Sequence, residues 1–136
     1  TYLCLTGKSE VLLRKYSRKL YDLLKRTHLN YFLIDKLRGI KERGYMMILL
    51  TASLDIIAEN FNDLDFDIVI GSKTYYKNGK FHRMQDLYGK KHKVLEVLRR
   101  HFKEIVIIDD LPEPEFYLIP GVKVVRFAGG NNHGET

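Results

Sequence analysis

Five apolar residues stand together at Met46-Met47-Ile48-Leu49-Leu50. A run of that length, bounded by turn chemistry, predicts a strand buried on both faces. A second such run, Ile105-Val106-Ile107-Ile108, leads directly into Asp109-Asp110. Phe66 to Ile70 and Val122 to Phe127 read as further strands, and Tyr2 to Thr6 as a short buried strand closed by Gly7. Elsewhere the apolar positions follow the helical period. Val11, Leu12, Leu13, Tyr16, Leu20, Leu23 and Leu24 predict a helix from about Glu10 to Arg26, with Ser9 as its cap. Phe32, Ile34, Leu37 and Ile40 predict a second, from Tyr31 to Arg43, stopped by Gly44. Ser53 is placed to cap a helix running to about Phe61, with Asp55 in its first turn, and a last helix is expected from Lys91 to Phe102. Tyr75 to Phe81 has the form of a β-hairpin, because Asn78-Gly79 supplies the positive φ angles of a tight turn.

Strands alternating with helices predict an α/β protein: a Rossmann-like three-layer sandwich with a mainly parallel sheet and one small β-hairpin. The 136 residues are the length of one domain, residues 1–136, with no repeat or linker. At 45% hydrophobic and 29% charged, the chain can bury a core, which excludes disordered and collagen-like classes. No apolar run approaches the ~20 residues of a membrane span. A cytoplasmic location without a membrane partner is therefore the expectation, with the Gly-, Asn- and His-rich tail loose. Cys4 is the single cysteine, so neither a disulfide framework nor a zinc site is expected. The net charge of +6 suits an anionic partner, either a phosphorylated small molecule or nucleic acid.

Ligands of open α/β sheets bind beyond the carboxyl ends of the strands, so the residues that follow each apolar run carry the chemistry. Thr51-Ala52-Ser53 offers hydroxyls and the free N–H groups of a helix start, an anion cradle; the plainer reading is that Ser53 only caps its helix. Asp109-Asp110 offers hard oxygen ligands of the kind Mg²⁺ takes beside phosphate, against the plainer reading of a solvated acidic loop. Between them, Lys90, Lys91 and Lys93 crowd a helix N-terminus, where cations are unfavourable unless water or an anion surrounds them.

This order of a hydrophobic strand with Thr51, a lysine at a helix start, and a hydrophobic strand with Asp109-Asp110 resembles motifs II, III and IV of the haloacid dehalogenase superfamily. The likeness is to its phosphoserine-phosphatase-like branch. Asp67-Ile68-Val69-Ile70-Gly71, Lys91-His92-Lys93-Val94 and Phe127-Ala128-Gly129-Gly130 add to it, so that it spans about residues 35 to 130. The resemblance implies a magnesium-dependent phosphatase, a hydrolase acting on a small phosphorylated substrate. Thr51, with Ala52 and Ser53, would bind the phosphate. Lys91, with Lys93 as runner-up, would neutralise its charge, and Asp109 or Asp110 would hold Mg²⁺. Glu113 and Glu115 stand where the family has a further acid. The family's nucleophilic Asp-x-Asp is absent: before Thr51 the aspartates are Asp22 and Asp35, both in helical patterns. Either that motif precedes Thr1, or Tyr2 to Thr6 is the first strand and Thr6-Gly7-Lys8 stands in place of the acids.

Rival readings are an inactive binding or scaffold protein of the same fold and, more weakly, a nucleic-acid binder. For the latter, Arg14, Lys15, Arg18, Lys19, Lys25 and Arg26 interleave with Tyr16 and Tyr21, although the wet face of an amphipathic helix explains the pattern as well. Gly7-Lys8-Ser9 resembles the end of a P-loop, but Tyr2 stands where that motif needs glycine. His28, His82, His92, His101 and His133 show no metal-ligand spacing. Substrate and oligomeric state are left open.

Overall fold

The computed structural model describes residues 5–27 and 29–127. The chain falls into two compact units, Thr1–Leu87 and Tyr88–Thr136. Both are mixed α/β.

The first unit begins with α1 (Glu10–Thr27) and α2 (Tyr31–Lys41). Ser9 caps α1 as expected: its hydroxyl accepts from Leu12 N–H at 3.4 Å and its carbonyl from Leu13 N–H at 2.9 Å. Asn30 caps α2, accepting from Leu33 N–H at 3.1 Å. The apolar face of α1 buries Tyr21 completely, edge-on against Phe61 with ring centroids 4.8 Å apart. Then come β1 (Ile48–Leu54), one turn of helix α3 (Asp55–Ala58), a 3-10 helix Glu59–Leu64, β2 (Ile68–Lys77) and β3 (Lys80–Gln85). The order is β1-β2-β3, with β1 parallel to β2 and β2 antiparallel to β3. Asn78 and Gly79 form the hairpin turn with φ of 54° and 73°, the conformation that their residue types predict. Asp67 ties the strand starts together: its carboxylate accepts from Met47 N–H at 2.7 Å and pairs with Lys41 at 3.2 Å.

The second unit runs α4 (Lys91–Arg99), β4 (Ile105–Asp109), a 3-10 helix Pro114–Leu118 and β5 (Val122–Arg126). β4 and β5 are parallel, in register from Ile105↔Val122 to Asp109↔Arg126. Leu95 and Phe116 form its buried centre.

Several expectations need correction. The described strands make a three-stranded mixed sheet and a two-stranded parallel one. Alternation of strands and helices predicts the elements but not which edges pair. The first strand starts at Ile48, with Met46 half exposed, and continues through Thr51, Ala52 and Ser53 to Leu54. Ser53 therefore caps nothing. The helix after it is a single turn whose cap, Leu54, makes no side-chain hydrogen bond. Asp55 is turned to a tertiary partner, accepting from the hydroxyl and N–H of buried Thr74 at 2.6 and 3.2 Å. Gly71 is required here, since a Cβ on it would lie 2.8 Å from Ser53 O and 3.1 Å from the Ala58 side chain.

The expected strand at Tyr2–Thr6 lies, through Cys4, outside the described residues, as do Ala128 to Gly130 and the tail. The chain that follows is informative. Gly7 N–H donates to Phe81 O and Phe81 N–H to Lys8 O, at 3.0 and 2.7 Å, with an antiparallel bridge from Ser9 to Lys80. Gly7 to Ser9 thus lies along the β3 edge, at the end of the sheet away from β1. Thr6-Gly7-Lys8 does not lie at the end of a described strand.

Candidate functional site

Lys91 is the first residue of α4 and Asp109 the last of β4. Within the second unit they meet: Lys91 Nζ donates to Asp109 Oδ2 at 2.9 Å, with the two side chains only 18% and 14% exposed. The half-buried, parallel strand delivers Asp109 to its carboxyl end. Asp109 Oδ1 accepts from Leu111 N–H at 3.0 Å, which turns the chain just past the strand. Burial pushes the Asp109 carboxyl up. The Lys91 ammonium, the Leu111 N–H and a hydrogen bond with Asp110 outweigh it and hold the carboxyl below the ordinary carboxylate range. Asp110 is exposed. The ring of fully buried Phe116 lies 5.9 Å from Lys91 Nζ.

Glu113 closes the arrangement. Its Oε2 accepts from Lys91 N–H at 3.0 Å and its Oε1 from His92 N–H at 3.1 Å, while His92 Nδ1 lies 2.8 Å from Oε1. Burial pushes the Glu113 carboxyl up, but the His92 side chain and the two backbone N–H groups hold it below its ordinary value.

The expected ligands can be tested against Mg²⁺. Asp109 Oδ2 accepts from Lys91 and Oδ1 from Leu111 N–H, while Asp110, which also bonds to Asp109, is open to solvent. That donor set fits an ion that takes one or two carboxylates and fills its other positions with water and phosphate oxygen. His92, Glu113 and Glu115 also bring ligating atoms within 4.8 Å of one another. A nitrogen beside two carboxylates suits Zn²⁺ better than Mg²⁺, and the Glu113 oxygens already serve the helix N–H groups.

Thr51, Ala52 and Ser53 belong to the first unit. The pairing of β1 with β2 is regular to Leu50↔Ile70, breaks, and resumes at Leu54↔Ser72, so these three residues form the irregular stretch. Thr51 Oγ1 accepts from Ser53 N–H at 3.1 Å, which leaves its own O–H to donate. Ala52 O accepts from the buried Ser72 hydroxyl at 2.7 Å. A one-turn helix supplies little dipole, so the cradle expected at a helix N-terminus reduces to the Thr51 hydroxyl.

Of the two lysines, the structure brings Lys91 to an acid. Lys93 is exposed and makes no ion pair among the described residues. The basic stretch of α1 is partly committed: Arg14 pairs with Glu10 and Glu59, Arg18 with Asp22 and Asp63, and Lys25 lies over the Tyr21 ring. Among the described residues no helix is long and apolar enough to cross a membrane. Comparison with protein-family models, with curated proteins and with solved structures finds no match.

Sequence reasoning offered Glu113 only as a further acid beside Glu115, gave His92 no partner and passed over Phe116. The signal was present in the three lysines crowding a helix start, which call for an acid nearby.

The depressed carboxyls give a pH dependence with a defined sign. A group whose folded pKa lies below its unfolded value contributes stability above the unfolded value and loses it as pH falls through the folded one. For Asp109 and Glu113 the ordinary values are 3.8 and 4.5, so the urea midpoint is expected to fall with acidification beginning near those values. The same titration on Glu113→Gln should show a flatter acid limb. An equally steep limb there would mean that Glu113 contributes nothing to it.

Proposed function

We propose that this chain is the body of a Mg²⁺-dependent phosphohydrolase of the haloacid dehalogenase type, similar to phosphoserine phosphatases and acting on a small phosphorylated metabolite. The observation that carries the reading is the shielded pair of Lys91 and Asp109, a helix-start lysine against the carboxylate at the end of a parallel strand. Two residues 18 positions apart in sequence, each expected in the site, meet through their charged ends.

The Rossmann-like sandwich is part of this proposal. Its support is the two parallel pairs, β1 with β2 and β4 with β5. Among the described residues β1 pairs only with β2 and β4 only with β5, so each keeps an edge for a further strand. On this reading an Asp-x-Asp encoded ahead of Thr1 carries the nucleophile, because Asp22 and Asp35 lie in α1 and α2.

The resemblance implies the chemistry. The first aspartate of an Asp-x-Asp motif attacks phosphorus while its second aspartate protonates the departing substrate alkoxide; water then attacks the phosphoaspartate, restores the aspartate and releases inorganic phosphate. Lys91 neutralises negative charge on the transferring group, work that is almost entirely electrostatic. Asp109 and Asp110 would hold Mg²⁺, which would supply Lewis-acid stabilisation of the same charge. Thr51, in the first unit, offers a hydroxyl hydrogen that can donate to a phosphate oxygen.

Thr51→Val keeps the β-branched shape and removes the donor. Inorganic phosphate is expected to bind about tenfold or more weakly, since a hydrogen bond to a charged group contributes about 1.5–3 kcal/mol. Calorimetry on the folded variant checks it; unchanged affinity would leave Thr51 as a strand residue without a ligand. The reaction itself is tested by Mg²⁺-dependent hydrolysis of a phosphomonoester.

A further inference from the structure

The start of α4 is chemically inverted. A helix N-terminus presents N–H groups with no partner inside the helix and the positive end of the dipole, which together favour an anion. Here the cap position is Lys90, whose side chain makes no capping bond, and Lys91 and Lys93 follow. Glu113 supplies the missing anion from 22 residues downstream of Lys91, taking the N–H groups of Lys91 and His92 on separate oxygens.

Glu113 is itself held. It is 9% exposed, it precedes the Pro114 that opens the second 3-10 helix, and its carbonyl accepts from Phe116 N–H at 3.0 Å. His92 Nδ1 adds a side-chain contact to the same oxygen. Lys91 is thereby gripped at both ends, its backbone N–H by Glu113 and its ammonium by Asp109. A lysine side chain has four rotatable bonds, and its ammonium reaches a fixed point only if its Cα is also fixed.

We propose that Glu113 is the positioning residue of the site: its carboxylate fork anchors the first turn of α4 and so sets Lys91 in reach of Asp109. The positioning of a phosphate-neutralising lysine rests on the phosphohydrolase reading; the anchoring does not.

The test is competitive acylation of lysines with acetic anhydride, read by peptide mass spectrometry, beside hydrogen exchange of the Lys91 and His92 amides. Acylation needs an accessible amine, and that of Lys91 is held against Asp109 in a shielded position. Exposed Lys90 and Lys93 serve as internal references. In Glu113→Ala, Lys91 is expected to react about fivefold faster relative to them, equivalent to roughly 1 kcal/mol at 1.4 kcal/mol per decade. Its amide and that of His92 should lose protection. Asp109→Asn should give a similar gain in Lys91 reactivity with both amides still protected. Glu113→Gln keeps the shape and one acceptor oxygen; it should fall between, and it decides the matter where Glu113→Ala does not fold. If the amides lose protection while Lys91 reactivity stays at the parent level, Glu113 is a helix cap only and the proposal fails. It fails equally if neither readout moves. No substrate takes part, so the result stands whether or not the protein hydrolyses phosphate.

Discussion

Lys91→Ala is expected to lower turnover of the active protein by about 10²–10³-fold, the loss typical of removing one preorganised charge-stabilising donor. The ammonium sits beside Asp109 at 2.9 Å in a shielded position, where a charge acts through less solvent than at an open surface. The stability cost should be modest, about 1–2 kcal/mol, between the values for exposed and buried pairs. Asp109 limits it, because it keeps the Leu111 N–H and lies at the end of its strand. Steady-state kinetics on the parent, Lys91→Ala and Lys93→Ala check the assignment. Lys93→Ala should retain turnover, since its side chain is exposed. Normal turnover in Lys91→Ala beside a dead Lys93→Ala would move the role to Lys93. Normal turnover in both would remove the third motif from the account.

Phe116→Ala is expected to have the largest effect on stability, a loss of about 3–5 kcal/mol in the second unit. The ring is fully buried in a unit whose other buried apolar side chain, among the described residues, is Leu95. Little material is therefore available to collapse into the cavity. The ring also faces the Lys91 ammonium at 5.9 Å, a cation–π contact of about 0.5–1 kcal/mol at most sites. Phe116→Leu separates the two contributions: it refills most of the volume and should cost less than about 1.5 kcal/mol for packing. Urea unfolding of both variants measures this. A Phe116→Ala protein as stable as the parent would mean that the 3-10 helix Pro114–Leu118 is not part of the core.

What was legible in the sequence followed local physics. The hairpin at Asn78-Gly79 could be read because few residue pairs adopt two positive φ angles cheaply. The helical spacing of α1 and the Ser9 cap were read for the same kind of reason, as was β4 running into Asp109. Lys91 and Asp109 were expected in one site through resemblance to a motif order; the ion pair between them was not expected.

What was not legible depends on partners distant in sequence. Thr51-Ala52-Ser53-Leu54-Asp55 has the local signature of a capped helix. Thr74 draws the Asp55 carboxylate away, and Ser72 holds the Ala52 carbonyl, so the chain stays extended through Leu54. The path of Gly7 to Ser9 along β3 is set by backbone hydrogen bonds to Phe81, which carry no sequence signature at all. Glu113, between two prolines, reads as loop; only the fold shows that it completes the start of α4.

The most direct test of the account is release of inorganic phosphate from p-nitrophenyl phosphate by the protein expressed from its full reading frame. The account predicts turnover in Mg²⁺ that EDTA abolishes and that Asp109→Asn sharply reduces. A folded protein that releases no phosphate in Mg²⁺, or whose turnover is indifferent both to EDTA and to Asp109→Asn, would contradict it.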